Sequence, residues 1–230
     1  LGIDTSSVEL SVSLIQNGKP FISCSRYVRN SHAEHITHAV NFVLESSKID
    51  AADICHAGIA VGPGSFTGLR IGISFLKGFF FKYNTPILPI SSLQSMAASF
   101  NDSDCSIISA MDARKNMILY AKFVKENGIC KRITEDSIIS IETFSKTYNR
   151  DSIILIDTLG YSKTSVFDYF KGKQNVYSTE KVPLQRGLSC ALIAADYVND
   201  SSVWKKSTDI LPNYMQASYA ENKRKMPNQG

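Results

Sequence analysis

The sequence predicts an α/β protein made of two copies of a β-β-β-α-β-α unit. Three observations lead there. Residues 1–27 and 105–138 each carry three strand-like runs in succession. The first run of each set ends on an aspartate, Asp4 or Asp112, ahead of small residues. Each set is then followed by helical and again by strand-like apolar patterning. The boundary between units is expected between Ser99 and Asp104. This gives a first half of residues 1–100 and a second of 101–230 that closes in a polar tail from about Ser218.

The elements follow in order. Leu1 to Thr5, Val8 to Gln16 and Pro20 to Tyr27 read as strands. Asn17-Gly18 between the last two is a hairpin turn, because both residues tolerate positive φ. Ser31, with Glu34 three residues on, reads as a capping box opening a helix whose Ile36, Val40, Val43 and Leu44 share one face. Ala57 to Val61 is a short buried strand. The segment Gly62-Pro63-Gly64-Ser65-Phe66-Thr67-Gly68-Leu69-Arg70-Ile71-Gly72 carries it into a helix capped by Thr67 and running to about Tyr83. Ile87 to Ile90 then reads as a strand and Ser92 to Ser99 as a helix. In the second half, Cys105 to Asp112, Met117 to Val124 and about Ile129 to Ile138 are the three strands. A helix from Ile141 to Tyr148, a very apolar strand from Ile153 to Asp157 and a helix from Leu188 to Val198 complete it.

Composition excludes several classes. With 230 residues, 43% hydrophobic and 20% charged, the chain suits one large or two small globular domains. No apolar run reaches the roughly 20 residues of a membrane span, so no membrane contact is expected. The chain opens on a strand-like Leu1-Gly2-Ile3-Asp4 with no charged leader. Cys24, Cys55, Cys105, Cys130 and Cys190 form no C-x-x-C pair and read as free thiols in a reducing, cytoplasmic setting. The net charge of +4 is mild. Lys205-Lys206 and Lys223-Arg224-Lys225, where the excess gathers, read as solvated surface or tail ahead of nucleic-acid contact.

The glycine-rich loop offers free amides at a helix start, the geometry of an anion cradle. No nucleotide fingerprint fits it, however. Thr67 and Leu69 stand where a P-loop needs its second glycine, and the spacing is G-x-G-x-x-x-G rather than G-x-G-x-x-G. Ser65 lies between Pro63 and Thr67, not between the glycines of a serine elbow. Asp4-Thr5-Ser6-Ser7 holds the position of the first phosphate loop of actin-like ATPases, but Ser6 stands where phosphate needs a glycine. Two readings stay open for Asp4, Ser6 and Asp112: a vestigial nucleotide loop, or a serine-rich turn closing a hairpin.

His32, His35 and His38 share one helix. At about 100° per residue they fan over about 120°, too wide to converge on one ion, and none has a histidine four residues on. They read as polar surface or partner contact. The helix after the glycine loop carries one apolar stripe, Leu69, Ile73, Leu76 and Phe80, suited to the sheet. A second stripe of Ile71, Gly72, Phe75 and Phe79 lies beside it, and Arg70, Ser74 and Lys77 form a narrow polar seam. His35, Ala39 and Phe42 extend that surface on the first helix. Either the first helix covers the second stripe, or another subunit does.

Through Ile3-Asp4-Thr5-Ser6, Ser31-His32-Ala33-Glu34-His35, Gly62 to Gly72, Met111-Asp112-Ala113-Arg114 and Leu211-Pro212-Asn213-Tyr214, nearly the whole chain resembles the bacterial TsaB family, also called YeaZ. The glycine-rich segment, with Gly62, Pro63, Gly64, Ser65, Thr67, Gly68 and Arg70, carries the resemblance most specifically. It implies the duplicated actin, sugar kinase and Hsp70-like (ASKHA) fold. It also implies a non-catalytic subunit required for threonylcarbamoyl modification of the adenosine beside the tRNA anticodon. The catalytic role belongs to a homologous partner, TsaD, which holds a metal through an H-x-x-x-H helix, and an ATPase, TsaE, joins the pair. The resemblance therefore places ATP and metal on partner subunits with no intrinsic cofactor here, tRNA contact through the complex, and a homodimer as the state open to the isolated chain. Pairing through the first two helices implicates His35, Ala39, Phe42, Ile71, Gly72, Phe75 and Phe79. A stand-alone kinase or ATPase of the same fold, resting on Asp4 and Asp112, is the alternative. A metallopeptidase finds neither a metal pair nor a serine triad.

Overall fold

The computed structural model describes residues 1–28, 31–101, 104–113, 115–148, 151–157, 169–170, 172–179, 182 and 184–215. Its first sheet contains β1 (Gly2–Asp4), β2 (Glu9–Gln16), β3 (Lys19–Tyr27), β4 (Ala57–Gly62) and β5 (Ile87–Ser91), in the order β3-β2-β1-β4-β5. The second contains β6 (Cys105–Asp112), β7 (Met117–Glu126), β8 (Ile129–Arg132), β10 (Ile153–Asp157) and β11 (Val176–Ser178), in the order β8-β7-β6-β10-β11, with β9 (Ser137–Ser140) added on β7. In both sheets the first three strands pair antiparallel and the fourth joins the first in parallel. The repeated order and sense are those of the duplicated ASKHA fold.

Helices α1 (His32–Ser47) and α2 (Phe66–Phe80) cover one face of the first sheet, where Ile3, Leu10, Val12 and Ile59 meet Ile36, Val40, Ile73, Leu76 and Phe80. α4 (Ile141–Thr147) packs on the outer side of the second sheet, where Ile108, Ala110, Ile118, Ile154 and Ile156 surround Phe144. α3 (Ser92–Ser99) and α5 (Arg186–Asp196) form the middle layer. The two middle helices cross the boundary expected at residue 100. α3, from the first half, lays Leu93, Met96 and Ala97 against Ile107, Met111 and Phe123 of the second sheet. α5, from the second half, lays Cys190, Ile193 and Ala194 against Ala60, Leu88 and Ile90 of the first.

Several local expectations change. The hydroxyl of Ser31 makes no cap bond; only its carbonyl accepts, from the Glu34 amide. α2 is capped by Ser65 rather than Thr67, since the Ser65 hydroxyl accepts from the Gly68 amide at 3.2 Å and the helix begins at Phe66. The run Ile129 to Ile138 is two strands, because Arg132 turns onto the Thr134 carbonyl and, at 2.6 Å, onto Asp136, sending the chain back along β7 as β9. The Asn17-Gly18 turn stands as expected, with φ of 52° and 73°. No helix among the described residues is long and apolar enough to cross a membrane. Arg114, Ser218 and Lys223-Arg224-Lys225 lie outside the described residues.

Candidate docking face and the closed glycine loop

The glycine loop is built to be touched by its own chain. Gly62 has φ of 124°, open to glycine at little cost, and a Cβ there would strike the Asn213 carbonyl oxygen. The Asn213 amide in turn donates to the Val61 carbonyl at 2.7 Å. Beside it the Tyr214 ring stacks on Phe66 at 4.5 Å, while Arg70 donates from Nε to the Tyr214 hydroxyl at 2.8 Å and lies over the Phe66 ring at 3.8 Å. Leu211-Pro212-Asn213-Tyr214 is thus a strap across the glycine loop, anchored by the fully buried Ile210.

Beneath the loop sits the turn after β1. The Ser65 amide donates to the Ser6 carbonyl at 2.7 Å, and the Thr5 hydroxyl donates to the Gly68 carbonyl at 2.8 Å. A Cβ on Gly68 would collide with the Thr5 backbone oxygen and one on Gly72 with the Thr5 hydroxyl, so these glycines make the flat face that lets α2 lie on the turn. Of the amides at the helix start, those of Ser65 and Gly68 are spent on the Ser6 carbonyl and the Ser65 hydroxyl, and Leu69 makes the first bond of the helix itself. The cradle is thus partly filled from within.

Asp4 is 1% exposed. Its Oδ1 accepts from the Ser6 amide at 2.8 Å and the Ser6 hydroxyl at 2.6 Å, and its Oδ2 accepts from the Ser95 hydroxyl of α3 at 2.7 Å. Asp4 and Ser6 together make a closed polar turn, and the hairpin reading of these residues has the better geometry. Asp112, at the matching strand end, is only half-buried. His32 is buried beside this turn, not on the surface, and burial pushes its imidazole below the ordinary histidine range. His35 is half-buried, with Nδ1 at 3.4 Å from Arg26, and His38 is exposed, so the three histidines do not meet.

The second stripe of α2 divides. Gly72 is buried against Thr5, and Ala39 of α1, at 2% exposure, is in the core between the helices. Neither can meet a partner, because the small side chain at each is what lets its helix pack closely. Ile71, Phe75 and Phe79 are half-buried, leaning on the core with part of each ring or chain in solvent. Phe75 and Phe79 stack at 5.4 Å, and Phe42 on α1 is 51% exposed. Phe42 on α1, and Ile71, Phe75 and Phe79 on α2, thus keep apolar surface in solvent.

No pattern in the sequence singles out Arg186, whose guanidinium is buried at the start of α5 and ion-paired with Asp157 at the end of β10. Nor does local sequence pair the strap with Gly62, which lies about 150 residues away in the chain.

The model of the family described as TsaD, tRNA N6-adenosine threonylcarbamoyltransferase, matches residues 26–218. The chain is 28% identical over 141 residues to the tRNA threonylcarbamoyladenosine biosynthesis protein TsaB of Bacillus subtilis, covering 61% of this chain and 62% of that one. It is 33% identical over 135 residues to TsaB of Escherichia coli, covering 56% and 57%. The chain belongs to the TsaD-like family, on its TsaB (YeaZ) branch. The matched part spans little more than half the length of these curated relatives. YeaZ from Pseudomonas aeruginosa shares the fold, with a TM-score of 0.75 at 20% identity over 93% of this chain and 97% of that one. The glycine segment of this chain is packed on the turn after β1 and crossed by the strap at residues 211–214.

Proposed function

We propose that the chain is a non-catalytic subunit for threonylcarbamoyl modification of the adenosine beside the tRNA anticodon, docking a TsaD-type homologue through the α1–α2 face, with a TsaE-type ATPase joining them. The observation that carries this reading is that Phe42 on α1 is 51% exposed and the stacked Phe75 and Phe79 on α2 are only half-buried. A monomer gains little from leaving three phenyl rings partly in water, and aromatic clusters of this kind are the usual anchors of protein interfaces. The names of the curated relatives support the pathway. The internal bonding of Asp4 and Ser6 weighs against a stand-alone kinase, because both groups such an enzyme would turn toward phosphate are committed to the turn. ATP and metal then belong to the partner subunits, and tRNA is met through the assembly.

The test is reconstitution of the modification on unmodified tRNA with TsaD-type and TsaE-type proteins, ATP and threonylcarbamoyl donor, with and without this chain. Modification that depends on the chain is the expected result. Equal modification in its absence, or ATP turnover by the isolated chain, would overturn the reading.

A further inference from the structure

Apart from the docking face, the middle layer holds a charge that no packing requirement explains. Arg186 opens α5 at 3% exposure, on a helix whose body lies against the first sheet. Its Nη2 donates to Oδ2 of Asp157, the last residue of β10 in the second sheet, and reaches the Met96 sulfur of α3 at 3.4 Å. Nε and Nη1 have no hydrogen-bond partner among the described residues. Burial opposes the charge on this guanidinium, yet Asp157, Asp4 and Glu9 outweigh it, and the net shift holds the proton more tightly. Asp4 and Glu9 lie at the end of β1 and the start of β2, so the carboxylates around Arg186 come from both sheets.

We propose that Arg186 ties the two sheets together, standing on α5, which packs on the first sheet, while its guanidinium holds Asp157 of the second, so that the lobes move as one rigid body. The surrounding bonds fit this role. The Gly187 amide donates to the Ser11 hydroxyl of β2 at 3.0 Å, and the Ser99 and Ser189 hydroxyls of α3 and α5 meet at 2.9 Å. Asp4 reaches α3 through Ser95 at 2.7 Å. The start of α5 is thereby tied to the first sheet by its backbone and to the second by the guanidinium. Removing the positive charge takes from the buried Asp157 carboxylate the arginine that compensates it, and the loss falls on the contact between α5 and the second sheet. A rigid body suits a scaffold that must present one fixed face, but the inference stands without the docking proposal.

Arg186→Ala in the full chain tests it by chemical rescue. Thermal melting should fall by roughly 10 °C, and amides of β10 and α5 should exchange faster together. Millimolar methylguanidinium should restore much of both, while equal tetramethylammonium should not. Arg186→Met, uncharged and of similar length, should loosen the same amides and show no rescue. Asp157→Asn keeps the arginine and should release β10 even if the alanine variant does not fold. Wild-type melting in Arg186→Met, loosening confined to α5, or unchanged exchange of β10 in Asp157→Asn would each overturn the proposal.

Discussion

Asp4 and Asp112 end equivalent first strands of two sheets with the same strand order, yet one is sealed and the other half-open. Asp4 accepts three hydrogen bonds from Ser6 and Ser95 and is roofed by the glycine loop, whereas Asp112 is followed directly by a turn in which Ala113 donates to the Met117 carbonyl. The difference lies in what each unit places above the turn. In the first lobe, Gly64, Gly68 and Gly72 let α2 descend onto residues 5 and 6, and the strap at 211–214 closes the loop from outside. In that lobe the turn after the first strand is a structural joint. Repeated topology does not imply repeated use.

The joint breaks most severely at its closest approach. Gly68→Ala sets a methyl against the Thr5 carbonyl, a backbone atom that cannot rotate aside, and should destabilise the chain by about 3 kcal/mol. Chemical denaturation checks this, and Gly128→Ala in the second lobe is the control. Gly128 has open space around it, so only its φ of 81° opposes the change, for about 1 kcal/mol. A near-equal loss at both glycines would remove the distinction between the lobes.

A smaller effect sharpens the aspartate pair itself. Asp4→Ala leaves the Ser6 amide, the Ser6 hydroxyl and the Ser95 hydroxyl without their shared acceptor in the core, which should cost about 2 kcal/mol. Asp112→Ala, at a half-buried site, should cost about half as much. Equal costs, measured by urea unfolding, would show that the roof over Asp4 does not matter.

Much of this arrangement is legible in the sequence, because it is local. Period-2 runs gave the strands, Asn17-Gly18 set the first hairpin, and the buried stripe Leu69, Ile73, Leu76 and Phe80 stood at helical spacing. The cap expected at Thr67 falls two residues earlier, at Ser65, because the turn onto Ser6 starts the helix at Phe66 and puts the Gly68 amide in reach of the Ser65 hydroxyl. Ala39 and Gly72 fall on the stripe edges by angle, and only the close packing at Thr5 and between α1 and α2 puts them inside. The strap, the bond from Asp4 to Ser95 and the pair Arg186–Asp157 join residues tens to well over a hundred positions apart. No periodicity encodes such pairings, so these parts of the site emerge only from the fold.

The most direct measurement is titration of a TsaD-type homologue with variants of each surface of the first lobe. Phe42→Asp and Phe79→Asp place a charge on the open α1–α2 face, while Arg70→Ala cuts the strap contact on the glycine-loop side. Both aspartate variants, shown to be folded by their melting curves, should bind at least about 100-fold more weakly. Arg70→Ala should bind within about threefold of the unaltered chain, the range of a surface change away from an interface. Unchanged binding by Phe42→Asp and Phe79→Asp, with loss of binding in Arg70→Ala, would contradict the account and move the docking surface to the glycine loop.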